Sequence, residues 1–85
     1  MGSASWNSKE WQKFNRELGE RLEISRRDKG VTASKVSYDT GVSKNSIGRY
    51  ESGVSFPTAK NLRILAEYYN ASPSWLLDYE ADWEE

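Results

Sequence analysis

Hydrophobic side chains recur every three or four residues along much of the chain, which is the spacing of amphipathic helices. The longest such stripe consists of Trp11, Phe14, Leu18, Leu22 and Ser25. It predicts a first helix from about Asn7 or Ser8, either of which can cap it, to Lys29. Gly30 follows as a natural stop, and basic side chains lie in the last turn, where the helix dipole favours cations.

Four shorter helices are predicted after the first, because capping residues and glycines divide the remaining chain into short periodic segments. With their caps, they are expected over residues 32–40, 44–51, 58–70 and from 72 onwards. Pro73, at the first helical position, marks the start of the fifth helix. No strand-like alternation is present, so the predicted fold class is all-α: a compact bundle of about five short helices.

The second and third predicted helices are separated by only a few residues around Gly41. Glycine readily adopts the left-handed conformation that ends a helix and turns the chain sharply. Val42 then provides an apolar plug. The Ser43 hydroxyl can accept a hydrogen bond from an amide near Ser46, which makes Ser43 a good N-cap. Residues 32–51 therefore predict two helices joined by a tight turn.

The third predicted helix has an inward and an outward face. Ile47 and Tyr50, three residues apart, face inward. The residues that then face outward are Lys44, Asn45, Gly48 and Arg49. Such polar and basic residues on the second helix of a pair are typical of a helix-turn-helix, whose second helix enters the major groove of DNA. The chain is therefore predicted to bind double-stranded DNA.

The composition is that of one soluble domain, with 85 residues, 36% hydrophobic and 29% charged, and with no cysteine or histidine. No apolar run approaches the roughly 18–20 residues of a membrane span, and the absence of cysteine fits a cytoplasmic protein. Without cysteine and histidine, the usual nucleophile–base pairs and metal sites lack their components. We therefore expect that the protein is not an enzyme, that it binds no cofactor, metal or small-molecule substrate, and that it does not associate with a membrane.

The net charge of −1 conceals an uneven distribution. Residues 78–85 contain five acids and no base; setting them aside leaves 12 bases and 8 acids, a net charge of +4, in residues 1–77. A moderately basic body is compatible with phosphate binding. The predicted organisation is a flexible leader over 1–8, a DNA-binding domain over 9–77 and an acidic tail over 78–85.

A family pattern covers about residues 14–77. The matching residues are Leu18, Leu22, Arg26, Gly30, Gly41, Val42, Ser43, Ser46, Ile47, Glu51, Ser52, Gly53, Pro57, Leu62, Ala66, Ser72, Trp75, Leu76 and Leu77. In these residues the chain resembles the lambda-repressor-like family, the Cro and CI type of helix-turn-helix, and residues 74–77 look most like phage repressor N-terminal domains. The resemblance implies a phage-type or bacterial repressor that binds a near-palindromic operator as a dimer.

The resemblance also implies contact residues. Lys44 and Asn45 occupy positions expected to reach bases, where Lys donates to guanine and Asn pairs with adenine, each pair worth ~1–3 kcal/mol of discrimination. Arg49, one turn later, is expected either to read a guanine or to hold a phosphate. Hydroxyl groups expected to contact phosphate, and equally able to serve as helix caps, belong to Thr32, Ser43, Ser46, Ser52 and Thr58.

Two departures from the family pattern accompany one structural match. Ala33 replaces a Gln that usually holds a phosphate, which removes one expected clamp. Gly48 replaces a larger side chain, which indicates either close approach of the helix backbone to DNA or one base left unread. By resemblance, Arg26 and Glu51 are expected to form a partly buried ion pair that joins the first and third helices and serves stability.

The aromatic residues have two possible roles. Trp11, Tyr69 and Trp75 lie on inward stripes, so we predict that they belong to the core and not to a stacking surface for single-stranded nucleic acid. Trp6 and Trp83 lie outside the family core, where they either pack the terminal segments onto the bundle or join a dimer contact. A weak homodimer is expected through Leu77, Tyr79 and Trp83.

A second function class stays open. The same fold can serve as a protein-interaction module, with the acidic tail contacting a partner or the basic face of its own chain. The absent Gln and the low net charge favour this alternative.

Overall fold

The computed structural model describes residues 7–79, which form five α-helices and no strand. These are α1 (Ser8–Lys29), α2 (Ala33–Thr40), α3 (Lys44–Glu51), α4 (Ala59–Tyr69) and α5 (Pro73–Leu76). The predicted all-α class is confirmed for this part of the chain. None of the five helices is long and apolar enough to cross a membrane.

Local capping explains where the helices begin. Each N-cap side chain accepts a hydrogen bond from the backbone amide three residues further on, an interaction typically worth ~1 kcal/mol. The N-caps are Asn7, Thr32, Ser43, Thr58 and Ser72. Glu10 also accepts from the Asn7 amide, which completes a capping box at α1. The first helix therefore starts inside the leader predicted over 1–8.

Each of the five helices contributes at least one buried side chain to a single core, and the turn between α2 and α3 contributes Val42. Its buried members are Leu18, Leu22, Val36, Val42, Ile47, Tyr50, Leu65, Ala66, Tyr69 and Leu76. The long α1 packs against α3, α4 and α5, while α2 packs against α3 and α4. The third helix is therefore held between α1 and α2, and only its outer face is available to a partner.

Two of the three aromatic residues predicted to be buried are exposed. Tyr69 lies in the core as predicted, but Trp11 is 48% and Trp75 is 45% exposed. Trp11 lies in the first turn of α1 and meets Phe14 edge-on, with ring centroids 5.7 Å apart. The fifth helix has a single turn that buries only Leu76, so Trp75 lies at the surface beneath the Arg21 guanidinium, 5.7 Å from its ring centroid.

Candidate nucleic-acid interface

A rigid three-residue turn joins α2 to α3. Gly41 ends α2 with a φ of 82°, in the left-handed region, and its amide donates to the carbonyl of Ser37. The Thr40 hydroxyl donates to the carbonyl of Val36 at 2.7 Å and accepts from the amide of Val42 at 3.1 Å. Because the Val42 side chain is also buried in the core, the start of α3 has a defined position.

The third helix has one buried face and one open face. Ile47 and Tyr50 are buried, and the Tyr50 hydroxyl accepts a hydrogen bond from Asn61 Nδ2 at 2.9 Å. On the opposite side, one open depression of about 420 Å³ is lined by Lys44, Asn45, Gly48, Arg49 and Ser52. The structure therefore brings the three residues predicted to contact bases together on one surface.

The charge on the open face is positive because the single acid of α3 points away from it. Arg26 Nε donates to Glu51 Oε2 at 2.8 Å, and Arg26 Nη2 donates to Glu51 Oε1 at 3.1 Å. The two side chains are only 16% and 12% exposed, and the bond to Glu51 raises the pKa of Arg26. The charges left on α3 are those of Lys44 and Arg49, neither of which forms an ion pair within residues 7–79.

The hydroxyl groups predicted to contact phosphate do not all lie together. Ser43 and Ser46 lie at the start of α3, where Ser43 Oγ donates to Ser46 Oγ at 2.8 Å. Thr32 and Thr58 cap α2 and α4 instead. Because an N-cap oxygen accepts from the backbone, the hydroxyl protons of Thr32 and Thr58 remain available for a phosphate. Ser52 Oγ donates to the Arg49 carbonyl at 3.2 Å.

A family model described as a helix-turn-helix domain matches residues 19–81. The chain belongs to the helix-turn-helix domain family. Over 68 residues, or 80% of the chain, this domain is 32% identical to the HTH-type transcriptional regulator DicA of Escherichia coli strain K12. The matched part spans only 50% of that relative.

A solved structure of the same fold supports the assignment. The helix-turn-helix domain superposes on the crystal structure of the DNA-binding domain of BldD with a TM-score of 0.70 at 25% sequence identity. The superposition covers 78% of this chain and 96% of the BldD domain. The resemblance inferred from the sequence to Cro and CI proteins is therefore confirmed at the level of the family and the fold.

The position at which the family pattern has Gln is partly buried in this helix-turn-helix domain. Ala33 is the first residue of α2 and packs against the core. Its methyl group offers no hydrogen-bond donor, so this position cannot supply the phosphate contact that Gln makes in the family pattern. At Gly48, by contrast, an added Cβ would have no neighbour within 4 Å.

The residues predicted to form a dimer contact lie elsewhere in the helix-turn-helix domain. Leu77 and Tyr79 line an open groove of about 630 Å³ between α1 and the C-terminal segment. Phe14 and Leu18 contribute apolar surface from α1, and Arg21 lies 3.9 Å from Asp78 at the groove edge. Trp83, the third predicted dimer residue, lies outside the described residues.

Several interactions of the helix-turn-helix domain were not predicted from the sequence. Arg49 Nε donates to Ser55 Oγ at 3.0 Å, across the turn that follows α3. Tyr68 donates to Asp39 Oδ2 at 2.6 Å and links α4 to α2. In the sequence, the four residues of these two bonds look like ordinary surface residues, because none of them breaks a helical pattern or caps a helix. No local signal could have identified them.

Proposed function

We propose that this helix-turn-helix domain is the DNA-binding part of a transcriptional regulator that reads base sequence in double-stranded DNA through α3. The observation that carries the proposal is the single positively charged depression formed by the outward residues of α3. An α-helix fits the major groove of B-DNA, where each base pair presents a distinct pattern of donors and acceptors. The description of DicA as a regulator and of the BldD domain as DNA-binding supports this function.

Base recognition is assigned to the first turns of α3. Lys44 is proposed to donate to guanine O6 or N7, and Asn45 to pair with the N6 and N7 edge of adenine. Both side chains are exposed and lie in the first turn of the helix. In a helix-turn-helix, the N-terminal residues of the second helix are the ones that contact base edges.

Phosphate contacts are assigned to hydroxyl groups around the depression and at neighbouring helix starts. The proposed donors are Thr32, Ser46 and Thr58, together with Ser43 and Ser52, whose hydroxyl protons would turn from Ser46 and from the Arg49 carbonyl to the phosphate. Such contacts fix the register of a protein on the duplex and carry no sequence information. The positive N-terminal end of each helix dipole adds to the attraction of phosphate.

A finer proposal concerns the operator and the assembly. We propose a phage-type repressor that binds a near-palindromic operator as a weak dimer, with half-sites about 34 Å apart or a multiple of that distance. The exposed ring of Tyr79, beside partly buried Leu77 in the α1 groove, supports a small two-fold contact. Such a small interface is expected to have a dissociation constant in the micromolar range or weaker. Sedimentation velocity of the free chain would measure this constant.

Selection from a randomised duplex library tests the proposal. The wild-type chain should enrich one motif, and Lys44→Ala and Asn45→Ala should each relax the preference at one position per half-site. Lys9→Ala, which removes an exposed cation on α1 outside the α1 groove, is the matched control and should keep the motif. Affinity should fall steeply with salt. No enriched motif and no salt dependence would reject the proposal and favour a protein-interaction module.

A further inference from the structure

The turn after α3 folds back onto Arg49. The Arg49 carbonyl accepts from the amides of Val54 at 2.9 Å and Ser55 at 3.2 Å, and from the Ser52 hydroxyl at 3.2 Å. Gly53 allows this reversal with a φ of 81°, in the left-handed region. Residues 52–55 are therefore attached to the last turn of α3 by three hydrogen bonds to this one carbonyl, and the amides of Ser52 and Gly53 donate to the carbonyls of Gly48 and Tyr50.

The same turn also rests against the first helix. A Cβ added to Gly53 would lie 2.9 Å from the Cα of Arg16, so the backbones of the turn and of α1 are in direct contact. The turn is thus held by α1 on one side and α3 on the other. Ser55, which is half-buried in this turn, presents its hydroxyl from a defined position.

The Ser55 hydroxyl holds the Arg49 side chain. Arg49 Nε donates to Ser55 Oγ at 3.0 Å. A guanidinium has five N–H donors in a planar fork. Once Nε is bound to Ser55, the side edge formed by Nε and one Nη is occupied, and the end formed by Nη1 and Nη2 is left for another acceptor pair.

Arg49 lies in the row of side chains assigned to base reading. It follows Asn45 by four residues, which places the two side chains next to each other on a helix face. Both line the depression on α3 together with Lys44. Arg49 therefore lies on the same open surface as the two residues in the first turn.

We infer that Ser55 is a positioning residue that presents Nη1 and Nη2 of Arg49 to O6 and N7 of a guanine. The operator then has a guanine at one position in each half-site, next to the bases read by Lys44 and Asn45. This inference rests on the proposed function and decides between the base and phosphate roles of Arg49. The two acceptors of guanine in the major groove match the two parallel N–H groups that a guanidinium end offers.

The test compares Ser55→Ala, Arg49→Ala and the double variant in the same library selection. Arg49→Ala should lower the preference for guanine over adenine at one position by roughly tenfold or more, which is within the range for a bidentate contact. Ser55→Ala should lower it about severalfold, while the salt slope and the binding of random duplex stay unchanged. Ser55→Thr keeps the hydroxyl and should restore the preference.

Two controls separate positioning from a structural effect. Ser74→Ala removes a serine hydroxyl that forms a hydrogen bond with the Ser72 hydroxyl at 2.8 Å, away from α3. This variant should keep the motif. In the Arg49→Ala background, Ser55→Ala should have no further effect on base preference. Melting curves of each variant, recorded by circular dichroism, verify that it is folded at the temperature of the selection.

Each remaining outcome overturns the inference in a distinguishable way. If Ser55→Ala keeps the guanine preference, or lowers it equally with and without Arg49, Ser55 does not act through Arg49. If Arg49→Ala keeps the motif but lowers the salt slope by about one, Arg49 contacts a phosphate. If the wild-type chain binds no duplex, the proposed function itself fails, and the inference fails with it.

Discussion

Gly19 of α1 lies directly against the carbonyl oxygen of Tyr50 in α3. A Cβ built on Gly19 would overlap this oxygen and would lie 2.7 Å from the carbonyl oxygen of Glu51. Both neighbours are backbone atoms, so neither can rotate away. Only glycine fits at this crossing, and its absent side chain allows α1 and α3 to approach closely. The contact thereby helps to place the helix that carries the proposed base-reading residues.

Gly19→Ala should destabilise the domain. Alanine has the higher helix propensity, worth roughly 1 kcal/mol, but the new methyl group would overlap the α3 backbone, and such overpacking typically costs about 1–3 kcal/mol. We expect a net decrease in the free energy of unfolding, measured by urea denaturation followed by circular dichroism. An unchanged or increased midpoint would contradict the close approach of α1 and α3.

Gly48→Ala is the same substitution as Gly19→Ala, but at a helical position where an added methyl group has free space. It should increase stability and weaken DNA binding. Because an added Cβ has no neighbour within 4 Å, the free energy of unfolding should rise by up to about 1 kcal/mol. The methyl group would occupy part of the depression between Lys44 and Arg49, so we expect weaker binding to the selected duplex in a fluorescence titration. Unchanged affinity would show that the α3 backbone does not approach DNA closely there.

Glu51→Ala should destabilise the domain far more than an ordinary surface substitution. It leaves the Arg26 guanidinium, which is 16% exposed, without its carboxylate partner; loss of one partner of a buried pair costs about 3 kcal/mol or more. Glu67→Ala is the control, because its pair with Arg63 is exposed and lies within one helix at i,i+4, a type that typically contributes about 0.3–0.5 kcal/mol. Equal shifts in melting temperature for the two variants would refute a stabilising role for the Arg26–Glu51 pair.

Two buried tyrosines provide a matched comparison of hydroxyl groups. The Tyr50 hydroxyl accepts from Asn61, whereas the Tyr69 hydroxyl is buried without a hydrogen-bond partner among the described residues, and burial raises the pKa of Tyr69. Tyr50→Phe should therefore lower the free energy of unfolding by about 1 kcal/mol. Tyr69→Phe should leave it unchanged or raise it. Equal losses in denaturant melts of both variants would show that Tyr69 donates a hydrogen bond.

The bond between Tyr68 and Asp39 predicts an effect of acid on stability. The Tyr68 hydroxyl, with help from Lys35, holds the pKa of Asp39 below its ordinary value. A carboxyl with a depressed pKa in the folded state contributes stability above its unfolded pKa of about 3.9, and this contribution is lost as the pH falls through the folded value. Tyr68→Phe should raise the Asp39 pKa in a carboxyl NMR titration; an unchanged titration would contradict the bond.

The helix starts were predictable because they depend on contacts over three residues. Asn7, Thr32, Ser43, Thr58 and Ser72 each cap a helix through the amide three positions later. The burial of Ile47 and Tyr50 followed from helical periodicity in the same way. Such short-range interactions can be predicted from residues that are close in the sequence. The partner of Arg26, Glu51, lies 25 residues away and was predicted only from the family resemblance.

Tertiary packing decided the features that depend on where the bundle ends and on which helices cross. The periodic stripe of α1 continues to Trp11, but no other element covers that end fully, so Trp11 is half exposed. From the sequence alone, Gly19 would be expected only to weaken α1, because its contact with the backbone of Tyr50 depends on how α1 and α3 cross. The Ser55 hydroxyl reaches Arg49 only because the turn after α3 folds back between two helices. Periodicity shows which side of a helix is apolar, but the approach of distant backbones depends on the packed arrangement of all five helices.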